Sequence, residues 1–353
     1  MKKLLGLIAP LIVAAAGYLI LTPSPIDPVA WDAPVAPIMD GVLAVNDELL
    51  KAQLLAQGKL EGPEDTAVDS QGRVYAGLHN GKVVRIAADG TVSTFADTQG
   101  RPLGMDFDRQ GNLIVADAFK GLLSINPEGQ IRVLSTEAEG VHFRFTDDLD
   151  IASDGRIYFS DASDKFEQPD YLLDLLEARP HGRLLRYDPT TGQTEVLLKD
   201  LYFANGVALS THEDFVLVNE TYRYRITRYW LKGEKAGQHD IFIDNLVGLP
   251  DNLQGDRAGT FWVAMPTPRL ADTDVLHRKP WAKALLAKLP RALWPKPQVY
   301  GLVIAINENG EIIRSLHDRT GEHLRMITSV KPVGDSLYFG SLNNDRIGKL
   351  QIK

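Results

Sequence analysis

The chain has 353 residues, 44% of them hydrophobic and 24% charged, with a formal net charge of −8 and no cysteine. This length and apolar content can bury a large core, while the acidic balance excludes a nucleic-acid backbone as partner, since that role needs clustered Lys and Arg. Absence of cysteine excludes disulfides, thiol catalysis and Cys-ligated zinc.

Met1-Lys-Lys is followed by Leu4–Leu21, a stretch without a charge. As a helix, at about 1.5 Å per residue, it spans about 27 Å, close to the hydrocarbon thickness of about 30 Å. Residues 1–22 are therefore expected to form a transmembrane signal anchor. Lys2 and Lys3 favour a cytoplasmic N-terminus, which puts the rest of a single-pass chain on the periplasmic or extracytoplasmic side. A cleaved signal peptide is the competing reading, but no small-x-small site follows at a suitable distance and Tyr18-Leu-Ile-Leu is bulky. Residues 23–40 hold five prolines between Pro23 and Pro37 and read as a stiff, extended tether leading away from the membrane.

From residue 41 to 353 one unit recurs: an acid or amide, a short apolar run, a tight turn, then a second apolar strand. Its fullest copy is Phe145–Phe166, and others begin at Glu64, Gly104, Asn205, Asp251 and Met326. Each copy is two antiparallel strands joined by a turn. The early spacing, about 40 residues, is the period of a four-stranded propeller blade. The expected fold is an all-β, six-bladed β-propeller. Its last blade ends one strand short at Lys353, so a strand near Ala52–Leu60 is expected to complete it.

Two insertions interrupt the repeat. Gln168–Arg179, with Tyr171, Leu172, Leu175 and Leu176, predicts a short amphipathic helix. Val275–Lys296 carries Trp281, Leu285, Leu286, Leu289, Leu293 and Trp294 at near-helical spacing, with six Lys or Arg and no acid. Basic residues interleaved with Trp and Leu suit a helix at a lipid surface, so this insertion is expected to roof the channel mouth and touch the membrane. A cap packed on its own propeller fits the same composition.

The strings Gly62-Pro-Glu-Asp, Phe145-Thr-Asp-Asp-Leu-Asp, Ile157-Tyr-Phe-Ser-Asp-Ala-Ser, Ala204-Asn-Gly-Val, Leu249-Pro-Asp-Asn and Gly340-Ser-Leu resemble the strictosidine synthase-like family. The resemblance extends over nearly the whole chain after Leu21 and implies kinship with paraoxonases and with the regucalcin and gluconolactonase group. It therefore implies a calcium ion in the central channel.

A metal can also be argued from the residues. Glu64, Asp147, Asn205 and Asp251 occupy the same point of four repeats, where innermost strands would bring them together at one mouth. Carboxylates about 5 Å apart repel by about 3 kcal/mol per pair at an effective dielectric near 20, which a cation would offset. Oxygen donors without His or Cys select a hard ion, and irregular geometry favours calcium over magnesium. The alternative is that these residues cap their own turns. The resemblance implies the calcium-ligand role for the four and adds Asn252; it implies a second, structural ion at Asp65 and Asp148. Asp147 departs from the usual Asn.

For the chemistry, the resemblance implies hydrolysis of a small apolar ester or lactone, with Asp251 as base. His142 is a second-choice proton carrier, although a single His is more often a packing or rim residue. The His dyad of paraoxonases is missing: Leu103 stands where the first would fall and Ala116-Asp-Ala offers no second. Strictosidine synthesis is disfavoured, because Arg325 in Gly321-Glu-His-Leu-Arg takes the place of the plant enzyme's catalytic Glu and a guanidinium cannot act as base. The rival to a calcium-dependent hydrolase is a non-catalytic propeller that binds a ligand or partner beside a structural ion.

Overall fold

The computed structural model describes residues 17, 19 and 21–352. Its strands form six four-stranded antiparallel sheets arranged as the blades of a propeller. The innermost strands are Thr66–Val68, Pro102–Phe107, Thr146–Ile151, Ala204–Leu209, Leu253–Gly255 and Ile327–Val333, which open blades 1 to 6. Each stands at a recurring sequence unit. The turn after the first strand explains the recurrent Asp and Gly: the Asp69 carboxylate accepts from the backbone N–H groups of Gln71 and Arg73, both at 2.9 Å, and Asp108 repeats this with Gln110 and Asn112.

Between each pair of neighbouring blades lies an apolar seam. Tyr75 and Met105 share one, Ile114 and Phe159 the next, and Leu184 and Val207 the third. Leu217 packs with Val263, Val303 with Phe339, and Tyr338 with Val74 to complete the circuit. The ring is shut as the strand count requires: Gln53–Leu55 is the outer strand of blade 6, paired antiparallel with Ile347–Gln351.

The insertions form a cap. The first is a 3-10 turn followed by helix α1 (Tyr171–Glu177), which stops at Ala178 in a left-handed conformation. The second is two short helices, α2 (Ala271–His277) and α3 (Pro280–Leu286), and a 3-10 turn at Arg291–Leu293, rather than one long helix. Ile26, Phe166, Leu176 and Trp294 make its apolar centre. Trp294 is thus a packing residue, only 8% exposed, with its indole N–H donating to the Leu289 carbonyl at 3.0 Å.

The Pro-rich segment is extended, but it is laid across this cap rather than held clear of it. The Val29 N–H donates to the Glu177 carbonyl at 3.0 Å, the Trp31 N–H to that of His277 at 3.0 Å, and the Lys283 ammonium to that of Val29 at 2.6 Å. Trp31 packs against Tyr224 and under the Arg223 guanidinium. The buried Glu177 carboxylate bolts the assembly together, accepting from the Asp27 N–H at 3.0 Å, Lys165 at 2.6 Å and the His181 ring at 2.9 Å. Burial pushes Glu177 up, but the bonds from His181 and Lys165 prevail and bring it down to about 2. His181 loses charge stability on burial, yet Asp164 and Glu177 raise it to about 9.

The transmembrane expectation for residues 1–22 falls almost wholly outside the described residues. Among the described residues no helix is long and apolar enough to cross a membrane.

Two outcomes are expected. Phe339→Ala, in a fully buried seam, should cost about 3–5 kcal/mol in chemical denaturation, whereas Val133→Ala, on an exposed outer strand, should stay within about 0.5 kcal/mol. Because the raised His181 contributes stability below pH 6.5 that is lost as pH rises through about 9, thermal melts over that range should fall more steeply for the wild type than for His181→Gln.

Candidate functional site

The six innermost strands carry an irregularity at the same end. In blades 2, 3, 4 and 6 the pairing of the innermost strand with its neighbour slips there, at Leu103-Gly104, Asp147-Asp148, Asn205-Gly206 and Thr328. In blades 1 and 5 the strand begins just after the equivalent pair, Glu64-Asp65 and Asp251-Asn252. A bulge turns a side chain out of its strand's alternation, here toward the axis. Glu64, Leu103, Asp147, Asn205, Asp251 and Thr328, one from each blade, thereby line a common space of about 70 Å³.

The backbone is held around this ring by bonds between blades. The Gly206 N–H donates to the Asp251 carbonyl at 3.2 Å, the Asn252 N–H to that of Thr328 at 3.0 Å, and the Thr328 hydroxyl to that of Glu64 at 2.7 Å. Glycine is required at positions 104 and 206, where an added Cβ would run into Asp148 and into the backbone at Asp251 and Leu253.

Sequence reasoning placed Glu64, Asp147, Asn205 and Asp251 at one mouth, and the structure brings them together there, all buried or nearly so. Burial raises Glu64 well above the usual carboxylate range, and Asp251 and Asp147 add to it. Asp147 is raised for the same reasons, with Asp251 and Asp148 as neighbours. Asp251 reaches about 7, burial outweighing the 2.7 Å bond from the Asn205 amide.

These groups do not satisfy one another. Glu64 Oε2, Asn205 Oδ1 and Asn252 Oδ1 are buried acceptors with no hydrogen-bond partner. Among the described residues, no three His, Cys, Asp or Glu side chains form a close-set metal cluster by themselves, so the donor set depends on the amides as well. An all-oxygen set with orphaned buried acceptors and mutually repelling carboxylates fits a hard divalent cation.

Asp65 and Asp148, expected to hold a second ion, each also bond across blades through one carboxylate oxygen. Asp65 accepts from the Met105 N–H at 2.8 Å and Asp148 from that of Val207 at 3.0 Å, each stapling its blade to another. Below them Lys331 lies buried in the channel, its ammonium 2.8 Å from Asp106 and donating to the Gln254 side-chain Oε1 at 3.1 Å. Burial works against that charge, but Asp106 and Asp65 hold Lys331 above its ordinary value. Asp65 in turn is raised to about 6 by burial and pulled back by Lys331. This tier has its own cation.

His142 is a correction. It sits on a separate hairpin, Val141–His142 against Glu137–Ala138, with its side chain 76% exposed and 3.6 Å from Glu137. Sequence reasoning also missed Arg101, buried beside Glu64 and Asp147 with its Nε unpartnered. Thr328 was findable, because it holds in the sixth copy the place that Asp147 holds in the third.

Above the acids the mouth widens into a cavity of about 170 Å³ under the cap. Asn205 and Asp251 are at its floor, and Leu172, Leu175, Phe203, Leu249, Leu270 and Met326 are among its apolar walls. No histidine lines either space. Tyr222 stands beside them, its hydroxyl donating to the Tyr171 carbonyl at 2.9 Å.

Comparisons with known proteins agree with this architecture. Residues 147–234 match the strictosidine synthase family and residues 41–86 the strictosidine synthase-like N-terminal family. The adipocyte plasma membrane-associated protein of Gallus gallus is 38% identical over 99% of this chain and 89% of its own length, and that of Homo sapiens is 37% identical over 97% and 88%. Strictosidine synthase-like protein 4 of Arabidopsis thaliana is 36% identical over 87% of this chain and 84% of its own. Among solved structures, a gluconolactonase from Xanthomonas campestris superposes with a TM-score of 0.64 at 19% identity, covering 94% of this chain and 99% of its own.

Neutralising a repelling carboxylate should stabilise the metal-free protein. With a chelator present, Glu64→Gln is expected to melt about 2–5 °C above wild type near neutral pH. Asp251→Asn should behave likewise, and its advantage should grow as pH rises from 3.8 to about 7, where the wild-type carboxyl is forced to ionise.

Proposed function

Because the chain belongs to the strictosidine synthase-like family, and its mouth joins buried, unsatisfied oxygen donors to an apolar cavity, we propose that it is a calcium-dependent hydrolase of small apolar esters or lactones. The observation that carries this reading is the position of Asp251, which is at once part of the donor ring and part of the cavity floor. Calcium would be held by Glu64, Asp147, Asn205 and Asp251, with Asn252 nearby. Bound there, the ion would polarise a carbonyl and lower the pKa of water.

The chain's own residues account for the rest. The apolar walls take up the acyl or leaving group and exclude water around it. Asn205 orients Asp251 through their 2.7 Å hydrogen bond. Without an ion, burial raises the Asp251 carboxyl to about 7; a calcium ion beside it would favour the carboxylate, the form that accepts a proton from water. Strictosidine synthesis is not supported: Arg325 is exposed and does not line the cavity. The family relatives named for the plasma membrane support a membrane-associated protein, in keeping with Leu4–Leu21 as an anchor.

The alternative, a binding propeller with a structural ion, is supported by the same donor ring and differs in turnover. Phenyl acetate and a γ- or δ-lactone should be hydrolysed in calcium and not after chelation, and Asp251→Asn should lower kcat/KM by about 100-fold or more. A protein whose melting temperature rises with calcium but which turns over neither substrate would favour the binder.

A further inference from the structure

The cap carries an unpartnered apolar face. On α3, Trp281 is 70% exposed and Leu285, one turn on, also faces out, while Lys283 between them and Leu286 after them point inward. Leu293, on the following 3-10 turn, is 65% exposed. Exposed Lys279 and Lys296 flank these side chains, with Arg278, paired to Asp32 at 2.8 Å, beside them, and the sequence from Val275 to Lys296 holds no acid in a chain whose net charge is −8.

The path of the N-terminal segment says what this face meets. Ile26 is buried in the cap, so five Cα-to-Cα steps separate it from Leu21, the end of the uncharged stretch. Fully extended, they reach about 17 Å. The cap is nearer still at one point, where the Lys288 ammonium donates to the Leu19 carbonyl at 2.8 Å. A bilayer that takes up Leu4–Leu21 therefore has the cap, and not the opposite end of the propeller, against its surface.

We propose that the face formed by Trp281, Leu285 and Leu293 docks into the interface of that bilayer, with the flanking Lys and Arg at the level of anionic headgroups. The cavity wall formed by Leu270, Thr273, Pro295 and Pro297 belongs to the same cap. An apolar molecule dissolved in the membrane would then reach the mouth along the cap without crossing bulk water. This deepens the hydrolase reading by naming the source of the substrate, but its test needs no turnover.

The chain has no cysteine, so single sites can be labelled cleanly. Trp281→Cys, Leu293→Cys and, as control on an exposed outer strand of blade 2, Val133→Cys would each be spin-labelled in the full chain and reconstituted into phosphatidylcholine–phosphatidylserine vesicles. Accessibility to oxygen, which partitions into lipid, is compared with that to a water-soluble nickel chelate. Labels at 281 and 293 should show an oxygen-to-nickel ratio at least about threefold that at 133, as depth in an interface requires. A ratio equal to the control's, labels shielded from both reagents as in contact between two copies, or failure of the chain to float with the vesicles would each overturn the proposal. Failure here with ester turnover intact would leave the hydrolase reading standing.

Discussion

Like-charge repulsion among Glu64, Asp147 and Asp251 is the constraint to which the rest of this structure answers. Left free in water, three such carboxylates would move apart. Here the six apolar seams fix the blades, a bulge at Asp147 and the strand starts after Glu64 and Asp251 present the side chains to the mouth, and bonds from blade to blade hold the backbone around it. The fold therefore stores an electrostatic cost at one end of its axis, and it does so where water is excluded. Arg101 relieves part of that cost for Glu64 and Asp147. One tier deeper Lys331 does the same for Asp65 and Asp106. The contrast between the tiers is informative: the lower has a lysine ammonium bonded to its side chains, whereas in the upper Arg101 bonds to the Gly62 carbonyl instead, leaving orphaned oxygens with an open space above them.

The cap turns this charged mouth into a site with apolar walls. Its helices are short, seven residues each, and would not persist alone. They are held by the extended N-terminal segment, by the Trp31, Tyr224 and Arg223 stack, and by Glu177, whose carboxylate gathers a backbone N–H, a lysine and a histidine. The segment expected to be a spacer is thus a structural strap. Proline suits it for both roles, since each restricts the chain to extended backbone, and only the position of apolar residues such as Ile26 and Trp31 distinguishes a strap from a spacer.

Most of the ring was legible in the sequence because the strand–turn–strand unit is a local signal repeated six times, with an Asp-x-x-Gly turn at Asp69, Asp108 and Asp256. The same repetition located Glu64, Asp147, Asn205 and Asp251, since equivalent points of equivalent units must converge around an axis. What repetition does not encode was lost. His142 lies close to Asp147 in sequence, but a hairpin carries it out to solvent. Trp294 has the same composition around it as Trp281, yet one is buried and the other exposed, and no heptad-like rule separates them once the insertion breaks into three short pieces. Arg101 and Lys331 act on the mouth and channel through three-dimensional proximity alone. Asp65 and Asp148 carried the right chemistry for an ion, and their bonds to Met105 and Val207 depend on how blades nest.

Blade 6 differs from the other five sheets in drawing its strands from both ends of the chain. Gln53–Leu55 is made early and must wait for Ile347–Gln351, made almost three hundred residues later, before it has a partner. A nascent chain would accordingly carry an unpaired strand through nearly its whole synthesis, with the far edge of the growing array exposed beside it. Completion of the molecule is then a single late event, and a chain that ends before Ile347 is left as an open arc with two unpaired edges.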